Sequence, residues 1–280
     1  MAKLRHSNVK VDFQIGNQTC RVDLAHPIDI SIPVRFQGEQ PNAYGVPRAR
    51  ARAYEDGNFV GDTRRGGSCN FEEYTIIPHC NGTHTECVGH ISYERISVHT
   101  VLRHSFLPAT LVSVTPAKAS DADDSYAPDK EGGDLMITQE SLRTALKDSP
   151  VAFLHGLIVR TLPNSATKMS RNYLDHPPPF FSLQAMQTIC DLGIQHLLVD
   201  LPSVDRAFDQ GKLSCHHIFW NVAQDSHEVD QRNHSLKTIT EMIYVPDEIV
   251  DGPYLLNLQI PNFVADAAPS RVLIYKTEFE

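Results

Sequence analysis

Apolar and polar positions alternate along the first part of the chain, which is typical of strands. Alternate positions over residues 9–15 are apolar, a turn follows at Gly16-Asn17, and a second strand is predicted to return to about Val22. The two strands form a predicted hairpin. Extended segments are also predicted at residues 28–33, 95–101, 109–114, 254–260 and 270–275.

Two segments have the apolar spacing of helices. Thr138 is a predicted N-cap, and the apolar residues that follow it recur at helical intervals. Residues 182–192 repeat this pattern and end at Gly193. Apolar runs at residues 151–161 and 196–201 predict buried strands that alternate with these helices, whereas the polar residues 120–134 predict a surface loop. This order predicts a mixed α/β protein.

Composition limits the classes of partner. The chain has 280 residues and a formal net charge of -9, so nucleic acid and anionic membrane surfaces would repel it. Neither an N-terminal apolar signal region nor a membrane-spanning apolar run occurs, which predicts a cytoplasmic protein. Six cysteines without a C-x-x-C pair do not indicate a disulfide framework. An enzyme acting on small molecules is the class that fits best.

The segment HCNGTHTECVGH, residues 79–90, concentrates the residues that bind metals. It carries three imidazoles, two thiols and a carboxylate. Asn81-Gly82 and the neighbouring threonines disfavour a helix, so the segment is predicted to be extended. Alternation then places Cys80, His84 and Glu86 on one face and His79 on the other as a bystander, while Gly89 lets His90 turn back. Zinc accepts all of these donors, and manganese prefers oxygen and nitrogen.

Further ligands must come from elsewhere in the chain, because one strand offers too few donors for two metals. The candidates are His216, His217 and Glu241. Glu241 is flanked by apolar residues, and burying its carboxylate without a partner would be costly, which indicates a metal or cationic partner.

The string CNGTHTECVGH resembles the signature H-x-G-T-H-x-D-x-P-x-H of the cyclase-like metal-dependent hydrolases, the family of bacterial kynurenine formamidase and isatin hydrolase. The glycine, the threonine and the last two histidines match, whereas Cys80 replaces the first histidine, Glu86 the aspartate and Val88 the proline. The resemblance implies that Cys80, His84 and Glu86 are metal ligands and that His90 is an acid/base group. The string GIQHLLVDLPSVD resembles a second family motif and implies that Asp200, Ser203 and Asp205 lie at the end of a strand.

The resemblance also implies a second metal, held by Glu86, His216 and Glu241. His216 is preferred over His217, and the polar residues 221–237 form an insertion relative to the family pattern. The extended segment at residues 28–33 resembles an early segment of the family, and the loop that follows it in the family forms part of the wall of the substrate pocket. The aromatic candidates in that loop here are Phe36 and Tyr44.

The expected fold is a single swivelling β/β/α domain over residues 1–280, assembled as a homodimer or homotetramer. The expected function is metal-dependent hydrolysis of a carbon-nitrogen bond in a cyclic or acylated amide, by an arylformamidase-like or cyclic amide hydrolase. The divalent metal is expected to be zinc, with manganese as the other candidate. The number of ions in the site, one or two, is left open. The alternative is an inactive relative that binds metal or a small ligand, which the replacements at Cys80 and Glu86 motivate.

Overall fold

A computed structural model describes residues 9–279, and an eleven-stranded sheet is its largest element. The strands within these residues run over Lys10–Ile15 (β1), Gln18–Asp23 (β2), Ile28–Asp29 (β3), Arg50–Ala53 (β4), Glu55–Asp56 (β5), Phe59–Val60 (β6), Glu72–Thr75 (β7), His84–Glu86 (β8), Phe106–Val114 (β9), Ala117–Lys118 (β10), Leu135–Ile137 (β11), Gly156–Thr161 (β12), Phe180–Phe181 (β13), His196–Val199 (β14), Thr238–Glu241 (β15), Gly252–Gln259 (β16), Ala267–Pro269 (β17) and Arg271–Phe279 (β18). The α-helices run over Pro78–Asn81 (α1), Val98–Val101 (α2), Gln139–Leu146 (α3), Leu183–Asp191 (α4) and Ser214–Trp220 (α5).

The order of the strands in the large sheet brings distant parts of the chain together. The order is β1-β2-β18-β16-β9-β12-β14-β15-β8-β17, and β3 pairs with β18. The four strands β9, β12, β14 and β15 are parallel, and the strands on both sides of them are antiparallel. In this register Glu241 of β15 lies opposite His84 of β8. The two strands that carry predicted ligands are therefore neighbours.

The central strands are buried on both faces. On one face, side chains such as Val159 and Val199 join a core with Leu142 of α3, Met186 of α4 and Phe219 of α5. The residues that alternate with them belong to a second core, formed with β16, β18 and the segment after β15. Burial on both faces explains why these strands read as continuous apolar runs in the sequence.

The predicted mixed α/β fold is confirmed, as are the N-terminal hairpin and the two helices. The Thr138 side chain accepts a hydrogen bond from the backbone N–H of Ser141, and Ser182 caps α4 in the same way through the N–H of Ala185. Gly193 follows α4 with a φ of 76°, the left-handed conformation expected of a glycine that ends a helix.

Two predictions of extended structure are wrong in part. Residues 95–101 contain the one-turn helix α2, whose first N–H donates to the carbonyl of Ala265 across the chain. Residues 151–153 form a 3-10 turn before β12 begins. In the extended run of residues 28–33, Ile28–Asp29 form β3 and Ser31 forms an isolated bridge with Ile243. β-branched residues favour strands only weakly, so a tertiary contact overrides them. No helix within residues 9–279 is both long enough and apolar enough to cross a membrane.

Candidate metal centre

Thr83 and Thr85, on either side of His84, anchor β8 and the Gly82-Thr83-His84 sequence (the GTH segment) that leads into it. The Thr83 hydroxyl accepts a hydrogen bond from the N–H of Ile32 at 2.8 Å and donates one to the carbonyl of Met242 at 2.5 Å. The Thr85 hydroxyl lies 2.8 Å from that of Thr240 in β15. These bonds join β8 to the early loop and to the end of β15. The positions of His84 and Glu86 are therefore set by buried contacts on both sides.

The start of the predicted metal segment is helical, which corrects the prediction that it is extended. Pro78 occupies the first position of α1, where its ring suits a helix start, and the Asn81 side chain accepts a hydrogen bond from the N–H of Ile77 at 2.8 Å. Strand alternation therefore does not apply to His79 and Cys80. His79 was expected to point away from the cluster as a bystander, whereas the structure places its Nδ1 2.9 Å from Oε2 of Glu86.

Cys80 is buried in the same turn. Among the described residues, its thiol belongs to neither group of ligand atoms that lie close enough together to hold a metal. Burial, assisted by the negative charge of Glu241, raises the pKa of the thiol to about 11.

Glu86 is the centre of the site. Its Oε2 lies 2.9 Å from His79 Nδ1, 3.9 Å from His84 Nε2 and 4.0 Å from His90 Nε2, and its Oε1 lies 2.9 Å from His216 Nε2. Glu86 and His84 are fully buried. Within the described chain, Glu86 Oε2 and His84 Nε2 have no hydrogen-bond partner, so the short His79 contact lacks the alignment of a hydrogen bond. Two unsatisfied buried polar atoms facing one another are costly unless a cation lies between them.

Glu241 approaches His84 from the neighbouring strand. Its Oε2 lies 3.4 Å from His84 Nε2, and its Oε1 accepts a hydrogen bond from the N–H of Val204 at 3.0 Å. Directly after it, Met242 adopts a φ of 54°, an uncommon conformation for a residue with a side chain. The strand therefore ends where Glu241 meets the site.

His216 reaches the site from α5 and is held by Asp205. Its Nδ1 lies 2.5 Å from Asp205 Oδ2, while Nε2 faces Glu86 at 2.9 Å and Glu241 Oε1 at 3.8 Å. Asp205 also accepts hydrogen bonds from the backbone N–H groups of Cys215 and His216. Burial disfavours the charged ring, but the two carboxylates outweigh it and hold the pKa of His216 well above its usual value.

His217, the alternative ligand, is buried beside His216 but is not brought to Glu86. Its Nδ1 has no hydrogen-bond partner among residues 9–279, and its ring lies 6.4 Å from that of His227. Consecutive helical residues point about 100° apart, so only one of the two rings can face the site. The structure therefore places His216, and not His217, beside Glu86.

His79 and His90 form the open side of the cluster. Their rings stack at 4.2 Å, and their side chains are 25% and 27% exposed, whereas those of His84 and Glu86 are buried. Gly89 allows the tight turn before His90, because a Cβ there would lie 2.0 Å from the carbonyl oxygen of Ile96.

Asp266, which sequence reasoning missed, binds both of these rings. Its Oδ2 lies 3.0 Å from His79 Nε2 and 3.4 Å from His90 Nδ1. It precedes β17, far from the motif in sequence, and no spacing or pattern singles it out. The contacts with His79 and His90 lower the pKa of Asp266 well below its usual range.

The residues of the second motif make different contacts. Asp200 accepts a hydrogen bond from the buried Lys168 ammonium at 2.6 Å rather than joining the cluster, whereas the Ser203 hydroxyl accepts one from the backbone N–H of Asp205 at 3.1 Å. Tyr44 adopts a φ of 58° and is 45% exposed, and the N–H of the preceding Ala43 donates to the carbonyl of Cys80 at 3.2 Å, which places this loop beside α1. The other aromatic candidate, Phe36, stacks on Tyr74 at 4.6 Å.

The residues brought together fit a divalent cation. Ligand atoms of His84, Glu86 and Glu241 lie within 4.8 Å of one another, and so do those of His79, Glu86 and His90. Imidazole nitrogens and carboxylate oxygens suit zinc and manganese. The unsatisfied His84 Nε2 and Glu86 Oε2 are the atoms that a cation between them would satisfy.

Solved structures share this fold. The "predicted metal-dependent hydrolase" from Bacillus stearothermophilus is 15% identical with a TM-score of 0.56, and the match covers 89% of this chain and 98% of that one. Isatin hydrolase A from Labrenzia aggregata, bound to benzyl benzoate, is 14% identical with a TM-score of 0.58 and coverages of 90% and 94%. Isatin hydrolase A from Ralstonia solanacearum is 11% identical with a TM-score of 0.57 and coverages of 89% and 91%.

Among curated proteins, none matches this chain. The model of one protein family, described as "Putative cyclase", matches residues 22–206. This match spans more than half of the chain, including the GTH segment and Asp205, and the chain therefore belongs to that family.

Proposed function

We propose that this protein is a metal-dependent hydrolase that cleaves the carbon-nitrogen bond of a cyclic or acylated amide. The observation that carries the proposal is the buried pair of unsatisfied atoms, Glu86 Oε2 and His84 Nε2, with Glu241 Oε2 3.4 Å from the same imidazole. Membership of the family and the shared fold with isatin hydrolases support the reaction class.

His84, Glu86 and Glu241 would hold the ion, with His216 beside Glu86 and Glu241 as a further donor. A bound divalent ion would lower the pKa of water toward neutrality and polarise the substrate carbonyl. Asp205 holds His216 by Nδ1, so Nε2 points at the two glutamates. Zinc and manganese both accept nitrogen and oxygen donors. Zinc is the metal we propose first, because a given site of this kind binds it more tightly, and manganese is the second candidate.

His90 has the position of an acid/base group. It lies at the open edge of the cluster, where a substrate can reach it, and its Nε2 faces Glu86 while its Nδ1 faces Asp266. A proton held at Nε2 can pass to the leaving nitrogen as the bond breaks. Since the ligand carboxylates are buried, the substrate would enter past His79, His90 and the ring of Tyr44.

The test is an amide hydrolysis assay with N-formyl aromatic amines, isatin and cyclic imides. We expect the metal-free protein to be inactive, added zinc or manganese to restore turnover, and His90→Ala to lower turnover roughly 10²- to 10⁴-fold while metal content is unchanged. His26→Ala, at a side chain that is 70% exposed, is the matched control. Full activity in His90→Ala, or activity that withstands chelation, would contradict the mechanism.

A metal-loaded protein that turns over none of these compounds would instead support the alternative, a relative that binds metal without catalysis. Assembly into dimers or tetramers stays a prediction, which analytical ultracentrifugation of the purified chain would test.

A further inference from the structure

We propose that His79, rather than Cys80, supplies the metal ligand that precedes the GTH segment, and that Asp266 is its positioning residue. The inference rests on the metal site of the proposed function and adds to it a ligand and an outer partner. It moves the ligand by one residue from the position that the motif spacing indicates.

The first argument is the convergence of nitrogens on one oxygen. Glu86 Oε2 is approached by Nδ1 of His79 at 2.9 Å, by Nε2 of His84 at 3.9 Å and by Nε2 of His90 at 4.0 Å. Of these contacts, the one to His79 is the shortest, although it is not a hydrogen bond. A cation bound at Glu86 Oε2 on this side would therefore have His79 as its nearest imidazole.

The second argument is the contact on the far side of the His79 ring. Nε2 lies 3.0 Å from Asp266 Oδ2, so it can donate its hydrogen there and leave the Nδ1 lone pair free on the side of the ring nearest Glu86. A carboxylate, an imidazole and then a metal is a recurrent arrangement, in which the carboxylate fixes the tautomer and the ring orientation. Asp266 also contacts His90, so a single carboxylate orients both rings of the open side.

The third argument is the local conformation, which separates His79 from Cys80. In a strand the two side chains would point to opposite faces, and the motif spacing would select Cys80. In the one-turn helix α1 the two consecutive side chains point about 100° apart instead. The ligand atom that falls within 4.8 Å of those of Glu86 and His90 belongs to His79. Within residues 9–279 the Cys80 thiol joins no such group.

The experiment is cobalt(II) binding to the full chain after removal of metal, followed by absorption spectroscopy and calorimetry. A cysteine ligand produces an intense thiolate-to-cobalt band in the near ultraviolet, whereas histidine and carboxylate ligands produce only weak visible bands. We expect no thiolate band, and Cys80→Ser should leave both the spectrum and the affinity unchanged.

Asp266→Asn, which removes an outer partner, should weaken cobalt binding roughly 10- to 100-fold and shift the visible bands. His79→Ala, which removes a ligand, should weaken cobalt binding by more than that. His26→Ala is the control for histidine removal. Melting curves in chelator identify any variant that has not folded, and His79→Gln, which keeps a polar side chain of similar length, then replaces His79→Ala.

Three results would overturn the inference. A thiolate band that disappears in Cys80→Ser would assign the ligand to the cysteine. Parent-like affinity in a folded His79→Ala would remove His79 from the site while leaving the proposed function standing. Failure of the parent chain to bind cobalt, zinc or manganese would instead overturn the proposed function together with this inference.

Discussion

Replacing Glu86 by glutamine tests whether the charge of this buried carboxylate stabilises the protein. Glu86 is fully buried, and the pKa of its carboxyl is held well below the usual value: burial raises it, but the neighbouring His90, His216 and His79 lower it more. The charged form is therefore the favoured one, and its stabilisation is present above the pKa of an unfolded glutamate. Glutamine at this position removes the charge at neutral pH and should destabilise the fold.

The magnitude follows from the contacts. His216 Nε2 faces Glu86 Oε1 at 2.9 Å, and a hydrogen bond to a charged group contributes about 1.5–3 kcal/mol. The buried imidazole also loses its counter-charge, and removal of one partner of a buried pair costs about 3–5 kcal/mol. His216 keeps Asp205 as its other partner, so we expect a loss near the lower end, about 3 kcal/mol in the free energy of unfolding.

The assay is urea unfolding in the presence of chelator, with Glu278→Gln at an exposed position of β18 as the matched control. A second measurement adds zinc: at a concentration 100 times Kd the parent should gain about 2.7 kcal/mol, and Glu86→Gln should gain none. Metal-free Glu86→Gln that is as stable as the parent, or more stable, would refute the reasoning, because it would show that the clustered carboxylates repel one another more than the imidazoles attract them.

Three further predictions concern residues away from the cluster. Burial lowers the pKa of His196 to about 3, so its neutral form contributes stability that is present above the unfolded pKa of 6.5 and is lost as the pH falls toward 3; between pH 7 and pH 5 urea unfolding should show a loss of about 2 kcal/mol from this residue. Lys168→Met leaves Asp200 buried without its cation and should cost about 3–5 kcal/mol in the same assay. Thr138→Ala removes the N-cap of α3 and should lower stability by about 1 kcal/mol.

Each of these has a matched control. His196→Asn should lose less stability between pH 7 and pH 5 than the parent, and an unchanged pH dependence would contradict the assignment. The double variant Lys168→Met/Asp200→Asn should recover part of the loss, because it also removes the stranded charge; no recovery would mean that the charge pair is not the cause. Thr138→Ser keeps the hydroxyl and should restore the cap, so equal destabilisation by alanine and serine would contradict the capping role.

The sequence by itself determined the elements that follow local patterns. Alternation predicted the hairpin, and helical spacing with an N-cap predicted α3 and α4. These predictions succeeded because backbone conformation and side-chain direction within one element depend mainly on near neighbours. The metal motif supplied His84 and Glu86 as candidate ligands, and the resemblance supplied the preference for His216, whose Nε2 the structure places 2.9 Å from Glu86.

Only the tertiary structure decided how the site is completed. The turn at Pro78 rotates His79 toward Glu86, Asp205 holds His216, and Asp266 joins the cluster from a position 187 residues after His79. A lone aspartate before a short strand leaves no trace in periodicity or spacing. Its role depends on sheet order, which sets β8 beside β15 and β17, and that order is fixed by burial of the whole sheet rather than by any local signal.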